Sequence, residues 1–441
     1  MSAVSDPSLY TRCLLGNNDV FHSVTDFLDF KGLSTILAVN RTTRDYFAEG
    51  FHHEVGLAAV PQKVDKALKR FPNARSLTIK ATLTACTIEL PGDSGPINKI
   101  VSLTICHLDR SYDPDHGIYP YRSLRNLLDR SPELASVTVS VRMSGEALQV
   151  FSRVRNLTEI DLSRCFWSDA FRNYGWLAKL HSLRKIAFPP CIDKTAILSS
   201  NREITDLDLG NTYDSDSVSR TIATHLPQLR HLKMSLDRSY MWTDEEFARL
   251  KGVPLESLRL TEFAAQCAPA QTLMALRDFS HLTHLSAAVA KLDAEAFTAL
   301  AETPTITSLS LERCQNTDEE LLNLQRMGKL VFLNLLNSKV RFRTIKAIVL
   351  AHREHLSFLA ISFPVGKDDL VYLLDTAKKL NTLHCTLTDF TYYSQDDEET
   401  EEQRKYREET VKYVNDVNTT LLNRRIYVHP YEQFSLELSS H

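Results

Sequence analysis

Glycine is scarce in this chain, at 13 of 441 residues. No G-x-G-x-x-G, G-x-x-x-x-G-K-[ST] or G-x-S-x-G occurs, so the usual phosphate-cradling loops and the nucleophile elbow are missing. H-E-x-x-H is missing as well. The eight cysteines stand far apart, at 13, 86, 106, 165, 191, 267, 314 and 385, with no C-x-x-C pair. That spacing argues against a zinc ribbon, a redox dithiol and a disulfide framework, and favours reduced thiols in the cytoplasm or nucleus. Long apolar runs are lacking too. The longest aliphatic stretches, such as Ala347–Ala351, are about five residues, and a membrane-spanning helix needs about 20. The N-terminus lacks a basic segment followed by a long apolar core, so no secretory signal is expected. Charge of one sign is not in excess: 51 Lys and Arg against 55 Asp and Glu give a net −4. No global basic field attracts nucleic acid or an anionic membrane, and neither is expected as a partner. The histidine pairs His52–His53, His281–His284 and His352–His355 have no third ligand at a recognisable spacing. No metal, cofactor or catalytic residue is therefore expected, and the chain reads as a non-enzyme.

What is present is apolar content of 43% with 24% charged residues, a composition that folds. Its length suggests two or three domains. From about residue 74 to 390 one pattern recurs, apolar-x-x-apolar-x-apolar. Clear copies begin at Leu134, Leu157, Leu183, Ile204, Leu229, Leu255, Ile306, Leu330 and Leu356, and weaker ones near Ala74, Ile100, Leu282 and Leu380. These 13 anchors span 306 residues in 12 intervals, a mean period of 25.5. The unit at 100–133 is longer and contains RSYDPDHGIYPY, which suggests an inserted loop.

This motif and period resemble leucine-rich repeats, whose units run about 20–29 residues. Cys165, Cys191 and Cys314 sit three residues past the last strand leucine, which resembles the cysteine-containing subclass, with a ribonuclease-inhibitor-like solenoid. The resemblance implies an α/β leucine-rich-repeat solenoid, a curved parallel sheet with helices on its convex side. The alternation has a direct physical reading. Side chains along a strand alternate between faces, so Leu309 and Leu311 should face the core while Ser308, Ser310 and Glu312 face out. The second half of each unit should be helical. TDEELLNLQ and TDEEFARLK open with capping boxes, Thr317 with Glu320 and Thr243 with Glu246. Residues 292–302 and 367–380 carry apolar side chains at helical spacing. The turn cysteines are expected to be small, buried packing groups.

A solenoid presents an extended concave surface, and phase alone names its residues. Glu159, Asp161, Asp206 and Asp208 form an expected acidic zone. His231, Lys233, Arg259 and His284 form a basic zone, and Phe332, Leu336 and Phe358 an apolar one. Charge for selectivity and aromatic area for affinity would suit a protein partner.

Residues 1–18 are polar and expected to be loose. In 19–50, Phe21, Val24, Phe27 and Leu28 share one helical face, and Leu33, Ile36, Leu37 and Val39 make a second short apolar face before a basic helix. Three short helices cannot bury a core alone. The run Phe27-Leu28-Asp29-Phe30-Lys31-Gly32-Leu33 followed by Ile36-Leu37-Ala38-Val39-Asn40-Arg41 resembles an F-box. It departs from that pattern in lacking the Leu-Pro start and in carrying Thr43 where the third helix usually has an aromatic. The resemblance implies that these eight apolar residues dock a Skp-family adaptor, making the chain a substrate receptor of a cullin-type (SCF) ubiquitin ligase. A helical cap over the first repeat is the alternative, in a stand-alone repeat scaffold or inhibitor. Residues 51–73 read as a linker and capping helix. Residues 391–441 read as an acidic loop, centred on SQDDEETEEQ, and a capping helix with Tyr406, Thr410, Tyr413, Val417 and Leu421 on one face.

Overall fold

The computed structural model describes residues 56–59, 75–81, 99–107, 121–141, 143, 145–165, 174–189, 192–212, 214–235, 242–261, 275–287, 292, 294–365, 367–387, 412 and 425–428. The helical segment 19–50, the inserted loop after residue 107, Cys191 and the acidic run 394–403 lie outside the described residues. The chain divides into two compact units, residues 1–189 and 190–441.

In the first unit, short strands recur wherever the apolar alternation recurs. They are β1 (Gly56–Ala59), β2 (Ser76–Ala81), β3 (Ser102–His107), β4 (Ser136–Ser140), β5 (Glu159–Asp161) and β6 (Lys185–Ala187). Each pairs in parallel with the next in chain order. The second unit repeats the scheme with β7 (Asp206–Asp208), β8 (His231–Ser235), β9 (Ser257–Thr261), β10 (His284–Ala287), β11 (Ser308–Ser310), β12 (Phe332–Leu335), β13 (Phe358–Val365), β14 (Thr382–Leu387) and β15 (Arg425–Val428). These too are parallel and in chain order. Strands β2 to β14 stand on the 13 sequence anchors one for one. The architecture is an α/β leucine-rich-repeat solenoid.

The register aligns like with like. Leu207, Leu232, Leu258, Leu285, Leu309, Leu333, Leu359 and Leu383 form one row across the second unit's strands. Each of these is at most 2% exposed. A second buried row runs through Met234, Leu260, Leu311, Leu335, Ile361 and Cys385. Full burial of one such leucine is worth about 1.5–3 kcal/mol. No repeat can collect that alone, because each leucine is covered by its neighbours' side chains.

The helical halves are short. Both capping boxes form: Thr317 and Thr243 each accept from the backbone N–H three residues on, and Glu320 and Glu246 reach back. Their helices, Asp318–Leu321 and Asp244–Arg249, tighten directly into 3₁₀ turns. Fuller helices occupy Ser215–His225, Ala294–Ala301, Phe342–Ala351 and Lys367–Thr376.

Two strands fall where none was expected. β1 lies in the segment read as linker and capping helix, and β15 in the tail read as loop and helix. Leu57 pairs with Leu77, and Ile426 with Leu383. An edge strand offers a row of unpaired N–H and C=O groups. A short β-prone segment brought to that edge gains hydrogen bonds that its own periodicity does not advertise.

Buried polar groups stitch successive repeats. The Asn316 amide accepts from Leu292 N–H at 2.8 Å and donates to the Leu292 carbonyl. Ser338 Oγ donates to the Leu311 carbonyl at 2.9 Å and accepts from Cys314 N–H at 3.1 Å. The Cys165 thiol donates to the Val141 carbonyl at 3.1 Å. Each bond joins one unit to its predecessor and satisfies a turn backbone that would otherwise be buried unpaired.

Candidate protein-binding face of the sheet

The outward positions of the strands form a two-row lattice, because parallel pairing in register places equivalent residues side by side. In the second unit the first row runs Asp206, His231, Ser257, His284, Ser308, Phe332, Phe358 and Thr382. The second row runs Asp208, Lys233, Arg259, Ser286, Ser310, Asn334, Ala360 and His384, with Ala360 covered by its neighbours at 1% exposed. His231, Arg259 and His284 are exposed, and Phe332 and Phe358 half-buried. The structure therefore brings most of the phase-predicted residues of this unit to one surface.

Leu336 is a correction. Phase arithmetic placed it outward with Phe332, yet it is 1% exposed. Strand β12 ends at Leu335. The Asn334 side chain then accepts from Leu336 N–H at 3.0 Å, so the chain turns and the alternation stops before Leu336. Asn337 follows with φ 59°, as Arg313 does in the preceding repeat with φ 62°. The outward neighbour of Phe332 is Asn334, which donates to Ser310 Oγ at 3.0 Å.

The expected zones of charge are partly self-neutralised. Lys233 Nζ lies 2.6 Å from Asp208, so a basic-zone residue already holds an acidic-zone one. Arg230 pairs with Glu256 across the same two repeats that carry His231 and Ser257. Asp206 accepts from the Thr205 hydroxyl at 2.6 Å. Among the described residues no carboxylate pairs with Arg259, His231 or His284.

The aromatic zone is organised. Phe332 and Phe358, on adjacent strands, stack with centroids 4.1 Å apart and planes 11° from parallel. The His384 ring, in the second row of the next strand, lies tilted against this pair at 5.4 Å from Phe358. Stacking hides part of each ring from water but leaves the edges open, so this patch remains an apolar ridge on a polar face. His384 belongs to it and was not singled out by sequence, because its partner Phe358 lies in the preceding repeat.

In the first unit the outward rows are Ser76, Ser102, Ser136, Glu159 and Lys185, and Thr78, Thr104, Thr138 and Asp161. Glu159 is held by Lys185 at 3.2 Å. Asp161 accepts from the Ser163 backbone at 2.9 Å and hydroxyl at 2.7 Å. The acidic side chains here close local turns and pairs, beside a field of hydroxyls that phase arithmetic passed over.

The rest of the described chain holds little chemistry. Burial pushes the thiols of Cys165 and Cys385 up to about 12 and that of Cys314 to about 11, so none of them is a thiolate nucleophile near neutrality. Among the described residues no group of three or more His, Cys, Asp or Glu could hold a metal ion, and no helix is long and apolar enough to cross a membrane. A cleft of about 550 Å3 is lined by Thr317, Asp318, Lys339, Arg341 and Ser362. Its one sheltered carboxylate, Asp318, already accepts from Arg341 N–H at 2.9 Å and the Thr344 hydroxyl at 2.8 Å. Asp318 thus serves as a cap, supplied by the preceding repeat, for the helix Phe342–Ala351. Burial alone would raise its carboxyl, but these bonds and the Arg341 and Arg343 guanidinium groups outweigh it and hold the carboxyl below its ordinary range.

No protein-family model matches the chain, and no curated protein sequence matches it. Solved structures do. An internalin of Listeria monocytogenes is 14% identical with a TM-score of 0.38, over 72% of this chain and 82% of that one. A leucine-rich-repeat protein of Leptospira interrogans is 12% identical with a TM-score of 0.37, over 88% of this chain and 98% of that one. The TLR13–ssRNA13 complex gives 17% identity and a TM-score of 0.44, over 72% of this chain and 44% of that one.

Proposed function

We propose that this chain is a non-catalytic protein-interaction module which binds a partner protein on the outward rows of its second unit. The observation that supports this reading most is the stacked Phe332–Phe358 pair on a solvated sheet face. Two phenylalanines in successive repeats are costly to solubility unless a partner covers them, and aromatic anchors of this kind carry much of the energy at interfaces. In its finer form, the proposal is a cytoplasmic or nuclear substrate receptor of a cullin-type ubiquitin ligase. Segment 19–50 would dock a Skp-family adaptor through Phe21, Val24, Phe27, Leu28, Leu33, Ile36, Leu37 and Val39. That part rests on the F-box resemblance of the sequence alone.

Co-precipitation separates the two halves of the proposal. The full chain should retain a Skp-family adaptor, and Phe27→Ala with Leu28→Ala should release it while Phe358→Ala does not. Absence of any adaptor with the unaltered chain would remove the ligase role and leave the binding face to be judged on its own partner.

A further inference from the structure

Resting on the reading that the second unit's outward face is the binding surface, we infer that it receives an extended peptide segment laid across the strands, with an acidic side chain four residues from an apolar one. Three neighbouring features make this ordered. Arg259 on β9 and His284 on β10 are exposed cations or potential cations without a carboxylate among the described residues. Next comes a floor of small hydroxyl side chains, Ser286, Ser308 and Ser310. The Phe332–Phe358 ridge on β12 and β13 follows.

Spacing turns this order into a sequence rule. From the Arg259–His284 pair to the phenylalanine pair is three strand spacings, about 14 Å. An extended chain covers about 13 Å in four residues, and its residues i, i+2 and i+4 face the same side. An Asp or Glu at one end then meets Arg259 and His284, and an aliphatic side chain at the other lies along the ring edges. The residue midway faces the serines, where a polar side chain finds hydroxyl partners.

Charge complementarity selects an acidic segment over a basic one. The ring geometry selects peptide over single-stranded nucleic acid. A run of stacked bases needs an open ring face for each base, whereas Phe332 and Phe358 give faces to one another and Phe358 is also flanked by His384.

The test is selection of a displayed library of random 12-residue peptides on the full-length protein, followed by affinity measurement on synthetic copies of the enriched sequences. Enriched peptides should carry Asp or Glu four residues from Leu, Ile, Val or Met. Their affinity should fall at least tenfold with Arg259→Glu, with Lys in place of the acid, and with the apolar residue moved by one position. Indifference to the move or to Arg259→Glu overturns the inference, as does tighter binding of a single-stranded oligonucleotide. Enriched peptides lost with Phe358→Ala but free of the four-residue rule would overturn the inference and spare the binding face. No enrichment, or peptides indifferent to both Arg259→Glu and Phe358→Ala, would overturn both. A cooperative thermal transition well above the assay temperature in both variants secures the comparison.

Discussion

The two faces of the same strands follow different rules. On the buried face the register repeats one residue type, from Leu207 through Leu383, and every copy is at most 2% exposed. On the outward face the same register carries Asp206, His231, Ser257, His284, Ser308 and Phe332 in succession. One side is uniform because each repeat must cover its neighbour with the same shape. The other varies because its contacts between repeats, such as Asp208–Lys233 and Phe332–Phe358, call for no one residue type. Stability is therefore stored in the buried face, with buried polar bonds such as those of Asn316 joining successive repeats.

The contrast is broken most directly at Leu309, which is 0% exposed. Leu309→Asp should cost at least about 4 kcal/mol, since it leaves a cavity and a buried charge. Glu312→Lys, at the outward end of the same segment, should stay within about 0.5 kcal/mol. Urea unfolding midpoints compare them, and equal midpoints would mean that the assignment of faces is wrong. Asn316→Ala should come next, at about 3 kcal/mol, because both backbone groups of Leu292 lose their partner in a buried place. A variant as stable as the parent in the same measurement would remove the stitching role.

A pH-dependent link is smaller. His352 is 1% exposed and its Nε2 is 2.8 Å from the Leu324 carbonyl of the preceding repeat. That geometry makes Nε2 the donor and leaves the buried Nδ1 without a proton. Burial, reinforced by neighbouring His355 and opposed by the Leu324 bond, holds the imidazole below its ordinary 6.5. The unfolded chain thus binds the proton more readily than the folded one. The contribution of His352 is complete above pH 6.5 and is lost as pH falls below it. Melting temperatures from pH 8 to 5 should decline less steeply in His352→Gln, and parallel curves would refute this.

The outward face sharpens the comparison with the smallest energies. A double-mutant cycle of Phe332→Ala and Phe358→Ala should give a coupling of about 0.5–1.5 kcal/mol that salt does not change. The Asp208→Ala and Lys233→Ala cycle should give about 0.2–1 kcal/mol, declining as salt rises. Similar salt dependence in both cycles would mean that the aromatic pair is not held by ring contact.

How much of this was legible in the chain can be judged residue by residue. The phase of Leu309 and Leu311 against Ser308 and Ser310 was legible, since period-two alternation is a local property. So were the capping boxes at Thr243 and Thr317, which need only four adjacent residues. The burial of Leu336 was not, because the end of β12 depends on where Asn334 places its side chain. Nor were Asn316 and Ser338, whose partners lie a whole repeat away, nor the pairing of Lys233 with Asp208.

Sequence by itself settled the repeat, its period and which leucines within the strands turn inward, because one coil's alternation already requires a neighbour to cover it. Only the tertiary structure decided which outward side chains meet. Parallel pairing sets residues some 25 positions apart within about 5 Å of one another. Whether such neighbours neutralise each other, as Asp208 and Lys233 do, or stack into a ridge, as Phe332 and Phe358 do, is set by that register and by nothing within a single repeat.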